Sequence, residues 1–140
     1  MFERDGGAPS ELRVGVIGAT GWAEVSHLPA LVATPGLRLT AVSTTREESA
    51  RRAAERWAAP HHFTTAADLA HCPDVDLITV SVKAPLHRSL IEEVLDAGKP
   101  ILYEWPLGTS AAESAHLAET LEARGIRAFV ALQATAHPVL

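Results

Sequence analysis

The stretch from Val14 to Ala23 carries the residues that point most directly to chemistry in this chain. It reads Val-Gly-Val-Ile-Gly-Ala-Thr-Gly-Trp-Ala, an apolar run that ends in a glycine turn. Dinucleotide-binding loops have the pattern Gly-x-Gly-x-x-Gly between a strand and a helix, since glycine lets the backbone approach the pyrophosphate. Only the first glycine of that pattern is in place, and an ordinary strand–turn–helix connection is the alternative. The six residues of this candidate phosphate loop are Gly18, Ala19, Thr20, Gly21, Trp22 and Ala23.

A second polar group follows the next apolar run and bears on which dinucleotide would bind. The residues after that run are Ser43, Thr44, Thr45 and Arg46. An NAD site places a carboxylate about 20 residues after the glycine loop, on the ribose 2′-hydroxyl. Here the first carboxylate is Glu47, inside the predicted helix. Hydroxyls and a guanidinium suit a 2′-phosphate, because arginine stays charged and binds phosphate in bidentate fashion. We therefore expect NADP in preference to NAD, with a solvated Arg46 as the alternative.

Alternating apolar runs and helical patterns indicate which elements position these groups. Strands are predicted at 13–17, 37–42, 62–63, 77–82, 101–104 and 126–132. Helices are predicted at 22–33, 47–57, 66–70, 85–97 and 111–124, with N-caps at Thr65 and Ser110. Pro29 predicts a kink or restart near His27 and Leu28. Such alternation is typical of parallel βαβ units, so we expect a doubly wound α/β fold: a six-stranded, mainly parallel Rossmann-type sheet, order 3-2-1-4-5-6.

Several candidate groups follow predicted strands directly. The glycine turn, Ser43, Lys83 and Glu104 each come after a different strand. Ligands of open parallel sheets bind at the carboxyl ends of the strands. Convergence on that edge strengthens the dinucleotide interpretation of the loop.

The composition argues against other classes of function. The 140 residues carry a net charge of -5, so no nucleic-acid face is expected. No apolar run approaches the roughly 20 residues of a membrane span. Cys72 is the only cysteine, and a reducing cytoplasm is the expected location. His61, His62 and His71 lack metal-ligand spacing, so no metal is expected. Residues 1–11 read as a flexible leader before one domain at 12–140.

Several pieces in order resemble the N-terminal domain of the Gfo/Idh/MocA oxidoreductases. The pieces are residues 13–18, 27–31, 76–87 and 97–100, and Tyr103-Glu104-Trp105-Pro106-Leu107. The resemblance covers about residues 12–140. It implies a Rossmann fold and NAD(P)-linked redox chemistry on sugars, inositols or related compounds. It also implies a second α/β domain beyond Leu140 that holds the substrate and usually forms the dimer.

One departure from that family concerns the end of the fifth strand. The family strand usually ends Glu-Lys-Pro-Leu, and Trp105 replaces the lysine that orients substrate or handles its proton. Indole has no titratable group near neutrality, so Trp105 cannot serve as a general acid or base. The Glu104-Trp105 pair, with Gly21-Trp22-Ala23 and Leu132-Gln133, is similar to the fungal galactose-pathway repressor branch. That regulator binds a dinucleotide as a signal.

Three catalytic candidates are expected at this edge: Glu104 and Lys83, which follow strands, and His87, which matches a family position near the nicotinamide. Glu104 would approach the nicotinamide or orient His87, and Lys83 would meet a phosphate or stand in for the lysine. The alternatives are a strand-end cap for Glu104, a structural hydrogen bond for His87 and a solvated Lys83. Trp105 would form an apolar surface beside the nicotinamide or pack under the second domain. The remaining expected cofactor contacts are Val82, Ala84 and Pro85.

Two classes of function stay open at this point. The first is the nucleotide-binding domain of an enzyme that transfers a hydride between nicotinamide and a sugar-like or polyol substrate. The second is a non-catalytic NADP-binding sensor that regulates sugar metabolism, which Trp105 favours. The isolated chain is expected to bind nucleotide with little or no turnover. An edge exposed toward the second domain would favour a homo-oligomer.

Overall fold

The computed structural model describes residues 11–132, which contain one sheet of six parallel strands. The strands are β1 (Leu12–Ile17), β2 (Leu37–Ser43), β3 (His61–Phe63), β4 (Leu77–Val80), β5 (Ile101–Glu104) and β6 (Ala128–Ala131). Their spatial order is β3-β2-β1-β4-β5-β6, which confirms the predicted order. The predicted leader, except Glu11, and Gln133 lie outside the described residues.

Six helices connect the strands. They are α1 (Trp22–Val25), α2 (His27–Ala33), α3 (Glu47–Trp57), α4 (Ala66–His71), α5 (His87–Val94) and α6 (Ala111–Ala123). Single 3₁₀ turns at Ala84–Leu86 and Leu95–Ala97 flank α5. Among the helices of residues 11–132, none has the length and apolar character that crossing a bilayer requires.

The sheet is covered on both faces, which explains why its strands are nearly uniformly apolar. One face of the central strands presents Val14 and Val16 to α1, α2 and α3. The opposite face presents Ile78, Val80 and Ile101 to α4, α5 and α6. The site described below therefore stands on a framework with a buried core on each side.

The segment after the glycine loop is two helices rather than one. Ser26 has φ −125° and ψ −74°, which is not helical, so α1 ends at Val25 and α2 begins at His27. The predicted restart near His27 is confirmed. Pro29 contributes because it has no N–H for the Val25 carbonyl. A single turn of helix behind the loop carries little macrodipole, so bound anions would depend mainly on individual amides.

Two strands are shorter than their sequence patterns predict. β4 ends at Val80, because Ser81 gives its last ladder hydrogen bond to Ile17 and the chain then turns toward α5. β6 begins at Ala128 rather than residue 126. The Ile126 amide donates to the Leu121 carbonyl at 3.0 Å, and Gly125 has φ +65°. Both features belong to the C-terminal cap of α6, which uses the residues that the apolar pattern assigned to the strand.

Candidate functional site

The carboxyl ends of the four central strands lie side by side. Ile17 of β1 pairs with Ser43 of β2 and with Val80 of β4, and Val80 pairs with Tyr103 of β5. The predicted site residues follow these ends directly, so the fold brings the glycine loop and residues 43–46, 82–85 and 104–105 to one edge. We call it the carboxyl edge.

Gly18 is fixed by a close approach to the end of β4. Its φ is +81°, and a Cβ there would lie 2.5 Å from both the Ser81 carbonyl oxygen and Val82 Cγ1. A side chain at this position therefore conflicts with both the backbone conformation and the packing. Gly15 is similarly close to α4, with its Cβ position 2.8 Å from Leu69 Cδ2.

The amides of the glycine loop divide into two sets. Gly18 and Ala19 both donate to the Ser43 carbonyl, at 3.0 and 3.2 Å, and so join the loop to β2. Neither the Gly21 nor the Trp22 amide donates to a protein acceptor within residues 11–132. Gly21 has φ +57° and no atom within 4 Å of its Cβ position, so the backbone there is open. The amides suited to a phosphate are therefore those in the second half of the loop.

A cavity of about 690 Å³ opens beside the loop, a volume typical of small-molecule sites. Lining residues include Gly18, Thr20, Ser43, Thr44, Thr45, Arg46, Arg52 and Val82. Arg52 is not among the predicted site residues, because the alternating charges of α3 are typical of a solvated helix face. Its side chain is 68% exposed and only 3.8 Å from Glu48, so it can turn toward an anion in the cavity.

The polar residues after β2 have different local roles. The Thr44 hydroxyl donates to the Arg46 carbonyl at 2.9 Å and lies 2.6 Å from Ser49 Oγ, which holds the start of α3. Thr45 and Arg46 are exposed, and the Arg46 guanidinium forms no ion pair within the described residues. Arg46 is therefore the cation most available to a ligand on this side of the cavity.

Two hydroxyls of the segment from β4 into its following loop are buried without a partner. Ser81 Oγ and Thr79 Oγ1 have no hydrogen-bond partner within residues 11–132. Buried polar groups are nearly always satisfied in native proteins, so each exception needs an explanation. Ser81 immediately follows β4 beside Gly18, and a polar atom of a bound cofactor there would satisfy its hydroxyl. With the open amides of Gly21 and Trp22, this makes the edge a good fit for a dinucleotide.

His87 connects two loops of the carboxyl edge. Its ring is buried, and its nitrogens lie 2.9 Å from the Val82 and Leu107 carbonyl oxygens. The ring thus joins the loop after β4 to the loop after β5, and neither nitrogen is left for a ligand. This geometry matches the structural alternative, and the predicted catalytic role of His87 receives no support from it.

Glu104 has a partner that the sequence did not suggest. Its Oε1 lies 2.6 Å from Nε2 of His27, and not against His87 as one hypothesis held. Lys83 is exposed on the loop after β4, and Trp105 is 68% exposed beside Glu104. His27 and Glu104 are 77 positions apart in the sequence, so no spacing pattern links them. The only clue was that His27 lies in a segment typical of the family.

The opposite, amino edge of the sheet carries a cluster of charged residues. Arg13 donates to both oxygens of Asp76, at 2.8 and 2.9 Å, and to Asp74 at 3.0 Å. The hydrogen bonds from Arg13 hold the pKa of Asp76 below its usual range. Burial lowers the pKa of Lys99, whose Nζ donates to the Cys72 carbonyl at 2.6 Å.

Three potential metal ligands also meet at the amino edge, where the sequence showed no ligand spacing. One ligand atom each from His61, Cys72 and Asp74 lies within 4.8 Å of the others. The Asp74 oxygens are already used, Oδ1 by Arg13 and Oδ2 by His61 at 2.8 Å. Hydrogen bonds and ion pairs therefore account for the carboxylate and imidazole of this cluster.

The family assignment follows from comparison with known proteins. Residues 12–132 match the family model described as Gfo/Idh/MocA, an oxidoreductase family with an NAD-binding Rossmann fold. The chain belongs to this family, and the described residues form its nicotinamide-dinucleotide-binding domain.

Curated relatives of this chain include dehydrogenases and reductases. An inositol 2-dehydrogenase of Gluconacetobacter diazotrophicus is 36% identical over 83% of this chain and 35% of its own length. A dTDP-3,4-didehydro-2,6-dideoxy-α-D-glucose 3-reductase of Streptomyces violaceoruber is 37% identical over 82% of this chain and 33% of its own length. The chain thus spans about a third of each relative.

A solved structure shares the fold. KijD10, a 3-ketoreductase from Actinomadura kijaniata in complex with NADP, superposes with a TM-score of 0.83 and 34% identity. The match covers 91% of this chain and 41% of that one. Six parallel strands in this order are therefore a shared architecture.

Proposed function

We propose that this chain is the NADP-binding part of an oxidoreductase that transfers a hydride between nicotinamide and a sugar-like or polyol substrate. The observation that carries the proposal is the open cavity at the carboxyl edge, where two loop amides and the Arg46 guanidinium have no partner within residues 11–132. The family and the activities of the named relatives support the reaction class. The substrate would be held by a second domain, as the family resemblance implies.

The two halves of the dinucleotide would meet different parts of the edge. Arg46, with Arg52, which also lines the cavity, suits a ribose 2′-phosphate, and the amides of Gly21 and Trp22 suit the pyrophosphate. The nicotinamide would lie toward the ends of β4 and β5. Residues proposed to line that end are Val82, Lys83, Ala84, Pro85, Glu104 and Trp105. The bound cofactor supplies the hydride, whereas the protein orients it and excludes competing reactions.

The proton that accompanies the hydride needs a titratable donor. Trp105 cannot provide it, because its indole does not titrate near neutrality. Of the three catalytic candidates, Lys83 is exposed, and Glu104, although only 16% exposed, keeps Oε2 without a partner among residues 11–132. We propose that one of them, or a group from the second domain, takes the part of the family lysine.

A non-catalytic NADP sensor, of the kind found in the fungal galactose-pathway repressor branch, is the second candidate. The exposed Trp105 at the family lysine position favours it. The named relatives act as dehydrogenases and reductases, which favours the redox function. The two candidates share the nucleotide site. They differ in the turnover expected when the full-length protein is assayed with NADPH and a panel of sugars: the enzyme should turn over a substrate, and the sensor should not.

Cofactor preference tests the proposal on the chain as it stands. We expect saturable binding of NADPH by calorimetry, with at least about 10-fold weaker binding of NADH, since a charge-assisted contact contributes about 1.5–3 kcal/mol. Arg46→Ala should remove that difference. Arg51→Ala is the matched control, because Arg51 lies in α3, the helix that Arg46 precedes, but pairs with Glu55 at 2.6 Å. Equal or tighter binding of NADH by the wild-type chain would contradict the NADP preference.

A further inference from the structure

The contact between His27 and Glu104 is short and shielded from water. His27 Nε2 and Glu104 Oε1 are 2.6 Å apart, and the two side chains are 13% and 16% exposed. Charge-assisted hydrogen bonds are shorter and stronger than neutral ones, and shielding from solvent strengthens them further. Neither side chain makes another hydrogen bond within residues 11–132. The contact therefore decides the orientation of both groups.

The fold builds this contact from two separate features. The break at Ser26 starts α2 at His27, which places the imidazole on the first turn of a new helix. Alternation along β5 directs Tyr103 into the core beneath α5 and α6, so Glu104 points to the other face, toward α2. A continuous helix through residue 26 would carry His27 elsewhere on its surface.

The position of Glu104 gives the contact a functional meaning. Glu104 is the last residue of β5, at the carboxyl edge, and Trp105 follows it at the family lysine position. One carboxylate oxygen is occupied by His27, and the other, Oε2, has no partner among the described residues. A carboxylate fixed in this way presents a single acceptor at the end of β5, on the part of the carboxyl edge proposed for nicotinamide.

We propose that His27 is a positioning residue for Glu104. The His27 Nε2–H donates to Oε1 and holds the carboxylate so that Oε2 accepts a hydrogen bond from the nicotinamide riboside half of the cofactor. This inference rests on the proposed function, because it needs a dinucleotide at the carboxyl edge. It adds to the site a residue that lies 77 positions from its partner.

Two ligands separate positioning from general structural support. NADPH carries the nicotinamide riboside, whereas adenosine 2′,5′-bisphosphate retains the 2′-phosphate and lacks the nicotinamide riboside. Calorimetry should show about 10-fold weaker NADPH binding for His27→Leu and for Glu104→Gln, with unchanged binding of the bisphosphate. The double variant should lose no more than Glu104→Gln alone, because the two residues act through one contact.

Conservative and distant variants sharpen the test. His27→Gln keeps a donor near the position of Nε2 and should bind NADPH within about 3-fold of the wild-type chain. His116→Leu, on the exposed side of α6, is the control and should change neither affinity. A ¹H–¹⁵N spectrum of the wild-type histidine rings at pH 7 should show a proton on Nε2 of His27.

The outcomes that overturn the inference are distinct from those that overturn the proposed function. Three outcomes would each overturn the inference alone. They are wild-type NADPH affinity in His27→Leu, an equal loss of affinity for NADPH and for the bisphosphate, and an Nε2 of His27 that carries no proton. A wild-type chain that binds neither NADPH nor the bisphosphate would overturn the proposed function, and the inference with it.

Discussion

The two edges of the sheet use the same kinds of residue for opposite purposes. At the carboxyl edge, Arg46 has no ionic partner, Ser81 Oγ has no hydrogen-bond partner and the Gly21 backbone is open, all within residues 11–132. At the amino edge, Arg13 is satisfied by Asp74 and Asp76. Unsatisfied groups cost stability unless a ligand completes them, whereas satisfied groups contribute to stability. The difference indicates that the carboxyl edge is built for binding and the amino edge for folding.

Crossover geometry explains why the edges differ. In a parallel sheet every strand-to-helix loop leaves at the carboxyl edge, and such loops are free to vary while the framework holds them. The amino edge receives the ends of the helices and fastens β1 to the start of β4 through Arg13 and Asp76. Substitutions at the carboxyl edge should therefore change cofactor affinity, whereas substitutions at the amino edge should change the free energy of unfolding.

The largest effect is expected at Gly18, where binding and folding meet. Gly18→Ala introduces a Cβ 2.5 Å from the Ser81 carbonyl at φ +81°, so we expect a loss of about 3 kcal/mol in the free energy of unfolding. Gly21→Ala is the control, since its Cβ meets nothing within 4 Å and only the strain of φ +57° remains, about 1 kcal/mol. Urea denaturation measures both. Equal losses in the free energy of unfolding for the two variants would show that the close approach of Gly18 to the end of β4 does not affect stability.

A smaller effect is expected at the amino edge, and it should depend on pH. Asp76→Asn removes the charge that Arg13 contacts, and we expect a loss of about 1 kcal/mol at pH 7, because the side chain is partly solvated. Hydrogen bonding to Arg13 lowers the pKa of Asp76 in the folded state. The stabilisation is therefore fully present above the pKa of this carboxyl in the unfolded chain, near 4. It is lost as the pH falls through the lower pKa that the carboxyl has in the folded protein.

Urea denaturation at pH 7 and pH 2.5 checks this prediction. The difference in the free energy of unfolding between the wild-type chain and Asp76→Asn should be smaller at pH 2.5 than at pH 7. NADPH affinity at pH 7 should be unchanged, because the residue is at the other edge. A variant that loses NADPH affinity without losing stability would break the division between the edges.

Arg52 should show a weaker version of the effect expected at Arg46. Arg52→Ala should lower NADPH affinity by about 3-fold and leave NADH affinity unchanged, since an exposed, salt-screened cation contributes less than 1 kcal/mol. Calorimetry at 50 and 300 mM salt measures the NADPH affinity of the wild-type chain and of Arg52→Ala. The difference between the two affinities should be smaller at the higher salt concentration. An identical loss for NADH would instead place Arg52 against a part of the cofactor other than the 2′-phosphate.

The smallest effect is expected from Trp105→Lys, which restores the family residue. With 68% of Trp105 exposed, the free energy of unfolding should change by less than about 0.5 kcal/mol. Thermal denaturation measures it. A loss above 1 kcal/mol would show that the indole supports the described domain rather than a ligand or second domain.

Local pattern predicted the elements well, because each element is set by its own residues. The predicted α3 and β5 match the observed bounds, and Thr65 and Ser110 accept the expected cap hydrogen bonds at 3.1 Å. The errors lie where a residue has two local uses. Ile126, for example, belongs to the C-terminal cap of α6 rather than to β6.

The site was predictable in position but not in its internal contacts. Parallel topology places residues 18, 43, 83 and 104 at one edge whatever their side chains do. Side-chain partners depend on tertiary packing instead. The His27–Glu104 contact joins α2 to β5, the Thr44 hydroxyl turns back onto α3, and Gly18 and Ala19 use their amides on Ser43. None of these follows from spacing.

The most direct test of the account is a map of backbone amide shifts on titration with NADPH. Amides of the carboxyl edge, Gly18, Gly21 and Trp22 among them, should shift in a saturable manner. Amides of the amino edge, including Arg13, Asp74 and Asp76, should stay within the noise. Saturable shifts confined to the amino edge, or none at either edge up to millimolar NADPH, would contradict the claim that the carboxyl edge is the dinucleotide site.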